Sequence, residues 1–381
     1  MKFSCTQENL NQILNSVSHI ASKNINLPIL SDILIKSENK NLTISATNLE
    51  IGIIANVRAK IEEEGEFSVD AKLFNNYISL LPKDRIDFQF SEDNLKIECQ
   101  KQKTKIKCQS STDFPVIPRI EKEISYVVSA VEFKKAIYNI LFAVSNSEIR
   151  PEISGVYLNF LKDNLVLTAT DSYRLAEKKL NYISNNKIKN NEFEAESIII
   201  PAKTLQEVSR LLSSFKDDIG MEMGDNMEIY LEENQIMFVY NGIELISRLV
   251  DGSYPDYKQI IPASYSSKII INVVDLVKAV KTASLFVKSG VFDVKLDFKS
   301  NENELSVISS SSQTGENVSS VDMTKDGTGA EITLNYKYLL DGLQNMDSEA
   351  VIFEITDSNN PCLIKPNNNE NYLYLIMPIR Q

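Results

Sequence analysis

One pattern occurs twice in this chain, and the repetition limits the folds that the chain can adopt. Asn164–Ala176 reads NLVLTATDSYRLA, and Asn41–Ile53, 123 residues earlier, reads NLTISATNLEIGI without a gap. A looser third version, ELSVISSSS, spans Glu304–Ser312. Each version is an apolar strand that runs into a polar turn. Because repeats this far apart are duplicated domains and not solenoid units, we predict three copies of one domain.

Two linkers separate the predicted copies. One lies near Asp113–Glu123 and the other near Gly252–Ser266, and each contains two prolines. Proline interrupts both helices and strand ladders, so such stretches favour connections between domains. The predicted domains are therefore 1–120, 121–253 and 254–381.

Six helices are predicted, two in each copy, at 7–18, 71–81, 131–144, 202–213, 274–288 and 336–346. The first helix of each copy has apolar residues at i, i+3, i+4 and i+7, the spacing of one helix face. Those residues are Leu10, Ile13, Leu14, Val17; Phe133, Ala136, Ile137, Ile140; and Leu276, Ala279, Val280, Ala283. The second helices have apolar faces at Leu73, Tyr77, Leu80; Leu205, Val208, Leu211, Leu212; and Leu339, Leu340, Leu343. Thr6, Asp70 and Asn335 are predicted N-caps, and Pro201 suits the start of the fourth helix.

Strands and tight turns fill the rest of each copy. Lys2–Cys5 is a predicted strand, and Asn241-Gly242 is typical of a hairpin turn. The other predicted strands are Leu95–Cys99 followed by Thr104–Cys108, Gln235–Tyr240 followed by Ile243–Val250, and Ala350–Thr356 followed by Tyr372–Met377. The predicted fold class is therefore α+β, with three similar domains that each hold two helices and antiparallel sheets.

Composition excludes several classes of protein. Hydrophobic residues make up 43% of the 381 residues, which favours a globular protein. No apolar run approaches the ~18 residues of a membrane helix, and the N-terminus lacks a signal-peptide pattern, so we expect a cytoplasmic protein with no membrane partner. Cys5, Cys99, Cys108 and Cys362 form no C-x-x-C pair and are interpreted as small hydrophobic residues. His19, the one histidine, is expected to end the first helix near the surface, so neither a metal nor a cofactor is predicted.

The charges are distributed unevenly. The net charge is −12, from 40 basic and 52 acidic residues, yet the six predicted helices contain nine Lys or Arg and five acids. Lysine is also a good helix former on a solvated face, so composition alone leaves that alternative open. A surface of basic helices with an acidic exterior elsewhere would hold a polyanion on one side only.

Several motifs together resemble a known family, the beta subunit of bacterial DNA polymerase III, the sliding clamp. They span the whole chain in the family's order: MKF at the start, Leu27–Leu30 (LPIL), Asp113-Phe114-Pro115, Thr168–Ala176 (TATDSYRLA), Leu249–Tyr257 (LVDGSYPDY) and Tyr374–Arg380 (YLIMPIR). The resemblance implies a head-to-tail homodimer, a ring whose helices line a hole around duplex DNA. Such a ring has no catalytic residues and is not an enzyme. It tethers the replicative polymerase alpha subunit, and its partners include the clamp loader and other polymerases and repair proteins that carry a clamp-binding peptide.

The resemblance also implies three sets of site residues. The peptide-binding cleft would contain Ile153, Thr170, Ser172, Tyr173, Arg174, Leu175, Pro255, Ile260, Asn335, Tyr338, Pro361, Leu375, Ile376, Met377, Pro378, Ile379 and Arg380. The DNA-facing set would be Lys23, Asn24, Lys72, Lys134, Lys135, Arg150, Lys203, Arg210, Lys278, Lys281 and Lys337. The dimer interface would bring Ile106 and Cys108 of one copy against Ser284 and Leu285 of the other. Departures from the family pattern are Ser172 for Gly, Asn24 and Gln259 for cations, and Val291 near an aromatic position, and the acids expected beside the dimer interface are reduced to Glu316 and Asp322.

Physical chemistry leaves alternatives open at the cleft. Arg174 and Arg380 could hold a peptide carboxylate or carbonyl, but Arg174 could equally form a structural ion pair with Asp171. Leu175, Ile260, Leu375 and Met377 could line an apolar cleft, but Leu375 and Met377 could also be ordinary core. An enzyme that uses Asp171 and Arg174 is a rival hypothesis, although no motif supplies a second acid or base. An acidic, strand-rich surface protein is a third, and it lacks a secretion signal.

Overall fold

The computed structural model describes residues 1–122, 125–147, 149–186, 195–215, 226–288, 290–299 and 303–380. The helices are α1 (Gln7–Val17), α2 (Ala71–Ser79), α3 (Ala130–Leu141), α4 (Pro151–Ser154), α5 (Ala202–Ser214), α6 (Val273–Ser284) and α7 (Tyr336–Gln344). The strands of the first half are β1 (Lys2–Thr6), β2 (Asp32–Glu38), β3 (Asn41–Thr47), β4 (Ile51–Val57), β5 (Lys60–Glu63), β6 (Gly65–Asp70), β7 (Arg85–Ser91), β8 (Asn94–Cys99), β9 (Gln102–Lys107), β10 (Ser125–Ser129), β11 (Gly155–Phe160), β12 (Asn164–Thr170), β13 (Arg174–Asn181) and β14 (Ser184–Asn185). Those of the second half are β15 (Glu196–Pro201), β16 (Asn226–Glu232), β17 (Gln235–Tyr240), β18 (Ile243–Arg248), β19 (Ser267–Asn272), β20 (Asp293–Phe298), β21 (Glu304–Ser311), β22 (Gly315–Gly327), β23 (Ala330–Asn335), β24 (Ala350–Ile355), β25 (Cys362–Pro366) and β26 (Tyr372–Ile376). Short 3-10 turns lie at Pro28–Ser31, Ser111–Asp113 and Tyr257–Ile260.

The chain forms two compact units. Unit 1 contains Met1–Lys134, Tyr182–Glu194 and Lys203–Leu249, and unit 2 contains Lys135–Asn181, Ala195–Ala202 and Val250–Gln381. Unit 1 holds a five-stranded sheet, β5-β1-β7-β8-β9, and a nine-stranded sheet, β14-β10-β16-β17-β18-β4-β3-β2-β6. Unit 2 holds a twelve-stranded sheet, β15-β11-β12-β13-β26-β25-β24-β19-β22-β21-β20-β23. The strand pairs described are antiparallel, which confirms the predicted α+β class with antiparallel sheets.

All six predicted helices form, and their caps follow from side-chain chemistry at most positions. Asp70 accepts a hydrogen bond from the Leu73 N–H, and Asn335 accepts from the N–H groups of Lys337 and Tyr338. These side chains satisfy amide groups that have no partner inside a helix. Thr6 precedes α1 as predicted, but its hydroxyl makes no capping hydrogen bond. That part of the prediction is wrong, and α1 begins without a side-chain cap.

The predicted helix faces are buried in α1, α3, α5 and α6, whereas α2 turns a different face inward. Its buried residues are Ala71, Phe74 and Ile78. Leu73 and Leu80, which were predicted to face the core, are 53% and 79% exposed. The helical spacing was ambiguous because α2 has apolar residues on two faces. In the structure, the Phe74 ring packs in the core against the Phe88 ring. Unit 1 therefore displays two leucines that its own core does not use.

The two copies of the opening motif form the same turn. In unit 1, Thr47 Oγ1 donates to the Ile51 carbonyl at 3.0 Å and accepts from the Leu49 N–H at 3.0 Å. In unit 2, Thr170 Oγ1 donates to the Arg174 carbonyl at 2.6 Å and accepts from the Ser172 N–H at 3.1 Å. Leu49 and Ser172 both adopt left-handed φ values, +77° and +78°. The predicted duplication is thus present at the level of individual hydrogen bonds.

Each turn leads into a strand that extends a neighbouring sheet in the same way. After the first turn, β4 pairs with β18 over five residue pairs, beginning with Ile51 opposite Ser247. After the second, β13 pairs with β26 over five residue pairs, beginning with Arg174 opposite Ile376. Ile51 and Arg174 are equivalent positions in the repeat. We call these two ladders the first and second junctions.

A third feature recurs in every copy. The segment that follows β9, β18 or β26 returns to the edge of another strand and makes one or two backbone hydrogen bonds there. Gln109 N–H donates to the Ser68 carbonyl at 2.9 Å, Val250 N–H to Ile199 at 2.9 Å, and Ile379 N–H to Thr333 at 2.8 Å. These contacts cover the otherwise unpaired edges of β6, β15 and β23.

The cysteines confirm their interpretation as core residues. All four are buried and unpaired. Burial raises the pKa of Cys5 and of Cys108 to about 12, so these thiols stay protonated. No helix in the described residues combines the length and apolar character needed to cross a membrane.

Candidate functional site

The turn between β12 and β13 projects an aromatic side chain from a rigid backbone. The carboxylate of Asp171 accepts from the N–H groups of Tyr173 and Arg174 at 2.9 and 3.0 Å, as an Asx turn does. The Tyr173 ring is 64% exposed. The backbone carbonyl of Tyr173 accepts a hydrogen bond from the Met377 N–H at 2.8 Å, and this bond fixes the C-terminal segment beside the turn. The turn and Met377–Arg380 therefore lie together, as the cleft prediction requires.

Arg174 is enclosed by partners. Its Nε donates to Asp171 at 3.0 Å, its Nη1 to Asp341 at 2.6 Å, and its Nη2 to the Phe142 carbonyl at 2.8 Å. The guanidinium also lies 4.4 Å from the ring centroid of Tyr338. Burial alone lowers the pKa of Arg174, but Tyr374, Asp341 and Asp171 outweigh it, so the pKa is raised and the charge is retained. The predicted ion pair with Asp171 is present, and Asp341 is a partner that sequence reasoning missed.

An apolar cluster lies beneath this surface. Leu175, Tyr257, Leu363 and Leu375 form its buried part, and Tyr157, Tyr254, Ile261, Leu373 and Met377 pack against it. Leu175 and Leu375 are fully buried in this cluster. Tyr157 stacks on Tyr254 with ring centroids 4.9 Å apart. The Tyr257 hydroxyl donates to Glu177 at 2.6 Å, and burial raises the pKa of Tyr257.

The remaining predicted cleft residues fall into exposed and buried groups. Tyr173, Ser172, Pro255, Ile260, Ile379 and Arg380 are exposed. Tyr338, Asn335, Pro361, Met377 and Pro378 are half-buried, and Ile153, Thr170 and Ile376 are buried. Asn335 caps α7, and Gln259 donates to Asp256 at 2.8 Å on the exposed linker.

The predicted DNA-facing residues are all exposed. Unit 1 carries Lys23, Asn24, Lys72, Lys134, Lys203 and Arg210, and unit 2 carries Lys135, Arg150, Lys278, Lys281 and Lys337. Several have local partners: Arg210 lies 3.7 Å from Glu207, Arg150 donates to Glu152 at 3.0 Å, Lys337 lies 3.8 Å from the Phe292 ring centroid, and Asn24 Oδ1 accepts from the Asn26 N–H at 2.9 Å. His19 is exposed just after α1, as predicted, and burial together with Arg210 lowers its pKa, against the opposing effect of Glu207.

The four predicted dimer residues differ in exposure. Leu285 is 73% exposed and Ser284 is half-buried, and both lie at the end of α6. Ile106 and Cys108 are each 7% exposed, so their side chains belong to the core of unit 1. The exposed side chains of β9 are instead Gln102, Lys103, Lys105 and Lys107. The outward face of this edge strand is therefore cationic and not apolar.

Nothing at the turn resembles a poised catalytic group. Both carboxylate oxygens of Asp171 accept hydrogen bonds from within the turn or from Arg174. Within the described residues, no group of three or more His, Cys, Asp or Glu side chains is arranged to hold a metal ion. The arrangement suits binding of an extended peptide beside an aromatic and an apolar floor.

Comparison with known proteins matches almost the whole chain. Residues 1–118 match the DNA polymerase III beta subunit N-terminal domain, 127–256 its central domain, and 258–380 its C-terminal domain. The chain belongs to the DNA polymerase III beta subunit family. Curated relatives named beta sliding clamp include those of Staphylococcus epidermidis, 29% identical over 394 residues, and Bacillus subtilis, 28% identical over 391 residues. Each alignment covers 100% of this chain, and 99% and 100% of the relative, respectively.

Solved structures of this family share the fold. The DNA polymerase sliding clamp from Bacillus subtilis superposes with a TM-score of 0.90 at 27% identity, and the DNA polymerase III beta subunit from Thermotoga maritima with 0.88 at 26% identity. In both cases the match covers 100% of this chain and 99% of the solved chain. The resemblance inferred from the motifs is thus confirmed, as is the clamp fold with three similar domains.

Proposed function

We propose that this chain acts as a DNA sliding clamp: two copies close into a ring around duplex DNA and tether the replicative polymerase alpha subunit. The chain would act by enclosure and not by catalysis, in the cytoplasm. Its other partners would be the clamp loader and further polymerases and repair proteins that carry a clamp-binding peptide. Family membership supports the clamp function, and the residue-level assignments below are our own proposals.

One observation supports the ring. The two internal junctions pair equivalent strands in the same way, and one further pair of equivalent strand edges has no such partner. β18 and β26 each add to the strand that follows a repeated turn, β4 and β13. The strand equivalent to β18 and β26 in the first copy is β9, which ends the five-stranded sheet. The strand equivalent to β4 and β13 in the third copy is the first part of β22. Pairing β9 of one protein with β22 of a second would repeat the junction and give both of these strands a partner.

The internal junctions also give a register for this proposed contact. Transferring their alignment places Gln102–Ile106 antiparallel to Gly315–Ser319, with Lys105 opposite Glu316. Both side chains are exposed. Thr104 would face Asn317, and both of these are half-buried. The two strands would therefore match outward face to outward face, as antiparallel neighbours must.

Charge supports the same arrangement. Lys96 and Lys105 lie directly opposite each other on β8 and β9, and like charges in that position are destabilising. Glu316 of a second copy would offset this repulsion. The exposed Leu73 and Leu80 of α2 and the exposed Val274 and Leu285 of α6 would supply apolar area beside the ladder, because the equivalent helices meet at the internal junctions. There, Ser16 contacts Ser214 at 2.9 Å, and Asn139 bonds the Asn345 carbonyl.

The basic residues of the DNA-facing set would then attract DNA without binding it tightly. Exposed lysines give weak, salt-sensitive contacts to phosphate, and enclosure supplies retention. The cleft on unit 2, with Tyr173, Ile260, Met377 and Ile379 at its surface, would take the partner peptide. We retain 1–120, 121–253 and 254–381 as the proposed domain limits.

Retention on DNA of different topology tests the proposal. The protein is placed on nicked circular DNA by its own clamp loader, and half of the sample is linearised with a restriction enzyme. A ring stays on the circle and slides off the linear ends, in both low and moderate salt. Equal retention on the two forms would show binding by contact and would reject enclosure.

A further inference from the structure

We propose that Asp341 is a positioning residue of the peptide cleft: it holds Arg174 in place, and Arg174 shapes the cleft instead of binding the peptide. This inference rests on the proposed peptide-binding function of unit 2. It also resolves the alternative that the sequence left open for Arg174.

Three of the five N–H donors of Arg174 are already committed. Nε, Nη1 and Nη2 each donate one hydrogen bond, to Asp171, Asp341 and the Phe142 carbonyl. The side chain is 11% exposed, so little of the guanidinium faces solvent. A peptide carboxylate therefore has little access to the two remaining N–H groups unless it displaces one of these partners. Asp341 is the most accessible of the two carboxylates, with 45% of its side chain exposed against 14% for Asp171.

The contacts join three elements of the cleft. Asp171 belongs to the turn before β13, Phe142 follows α3, and Asp341 lies in the middle of α7. The guanidinium plane also lies over Tyr338, one turn before Asp341 on α7. Tyr338 is fixed in turn, since its carbonyl accepts from the Tyr374 hydroxyl at 2.9 Å. The fork of the guanidinium is what allows one side chain to serve three directions, and a lysine could not do so.

We call the contacts of Arg174 with Asp171, Asp341 and the Phe142 carbonyl the clasp. The first copy shows that the clasp is not needed for the fold of the turn. Ile51 stands at the position of Arg174, and the turn before it forms with the same hydrogen bonds. At that junction the space beside β4 is filled by the linker, because Ile117 Cγ2 would lie 2.6 Å from a Cβ on Gly52. In the second copy Leu175 replaces that glycine. The ion pair is therefore present at the second junction, where the proposed cleft lies, and not at the first. A role in the cleft accounts for this difference.

Asp341→Asn separates the two roles by the sign of its effect. The readout is fluorescence anisotropy of a labelled QLxLF-type peptide, measured well below the unfolding temperature of each variant. If Asp341 positions Arg174, loss of its charge lets the clasp open, and the affinity falls about five- to tenfold, as expected when only a tenth to a fifth of molecules remain competent. If Arg174 binds the peptide directly, removing its competitor tightens binding, and the proposal is overturned. Unchanged affinity overturns it as well.

Two further variants keep the result interpretable. Asp341→Glu retains the charge and should recover part of the affinity. Glu354→Gln removes one carboxylate from another ion pair of unit 2, with Lys365 at 2.8 Å, and should leave the affinity unchanged. A fall with Glu354→Gln equal to that with Asp341→Asn would point to general destabilisation and would overturn the positioning role. If the unaltered protein binds no such peptide, the proposed cleft itself is wrong, which is a separate outcome.

Discussion

Ser172 Oγ accepts a hydrogen bond from Nη1 of Arg150 at 3.2 Å, and Ser172 holds this position at a φ of +78°. A left-handed φ costs a non-glycine residue roughly 1–2 kcal/mol. The bond to Arg150 lies at the surface, where water competes for both groups. Ser172 thus occupies a backbone conformation that glycine would adopt with less strain.

Replacing Ser172 with glycine should therefore stabilise the protein. We expect a gain of about 0.5–1 kcal/mol in the free energy of unfolding, measured by urea denaturation, because relief of strain exceeds the entropy that glycine adds to the unfolded chain. Leu49→Gly is the matched variant, since Leu49 has a φ of +77° in the equivalent turn. A loss of stability in both variants would contradict the strain argument.

Asp32→Asn should stabilise the protein near neutral pH and have no such effect in acid. Asp32 is 2% exposed, and burial raises the pKa of its carboxyl despite a 3.0 Å hydrogen bond from Ser68. A carboxyl with a raised pKa in the folded state contributes stability at low pH, which is lost as the pH rises through that pKa. Asparagine imitates the protonated form at every pH. Urea denaturation at several pH values should show the two proteins converging in acid, and Asp163→Asn at an exposed hairpin tip should not reproduce the divergence.

Gly342→Ala should destabilise α7 strongly for an alanine substitution. A Cβ at Gly342 would lie 2.3 Å from Cε1 of the buried Tyr374 ring, so the ring or the helix must shift. Overpacking of this kind costs about 1–3 kcal/mol, which outweighs the better helix propensity of alanine. Gln344→Ala, at an exposed position of the same helix, is the control and should change stability by no more than about 0.5 kcal/mol. Thermal unfolding of the two variants makes the comparison.

Reversing one charge on each proposed dimer edge should weaken the dimer, and reversing both should restore it. Lys105→Glu and Glu316→Lys each place like charges opposite each other in the proposed register, at a cost of about 0.2–1 kcal/mol per pair. Sedimentation equilibrium gives the dimer dissociation constant for each variant. A double variant no tighter than the singles would reject this register. Ile106→Asp is a poorer test because Ile106 is buried and the change would disturb the sheet of unit 1.

The helices were predictable from sequence because their apolar residues recur with helical spacing. A helix with such spacing occurs at the equivalent position of each of the three copies. The inward face of α2 was not predictable, since Leu73 and Phe74 give two apolar stripes and only the tertiary core selects between them. Strand β22 was not predicted, because most residues of NVSSVDMTKDG are polar and the apolar–polar alternation of a strand is therefore weak. Strand β25 was missed for another reason: it is short, it follows Pro361 and it ends at Pro366.

The candidate site was predicted in its composition but not in its division of labour. The motifs located Thr170–Leu175 and Leu375–Arg380, and the pairing of β13 with β26 brings these segments together. Sequence could not reveal which of these side chains point into the core: Leu375 lies in the continuous apolar run YLYLIMPI, and Leu175 directly follows a polar turn, so neither shows strand alternation. The role of Asp341 was hidden for another reason: it lies 167 residues from Arg174, and no local pattern links them.

The turns at Thr47–Ile51 and Thr170–Arg174 are each held by a threonine and an Asn or Asp at their first two positions. The side chains at the next three positions make none of these bonds. After a duplication, those three positions could accumulate changes without unfolding the hairpin, so one copy could become Leu-Glu-Ile while the other became Ser-Tyr-Arg. On the proposed function, the peptide-binding surface of unit 2 would have arisen at these three positions of a redundant loop, and the first copy retains the same scaffold.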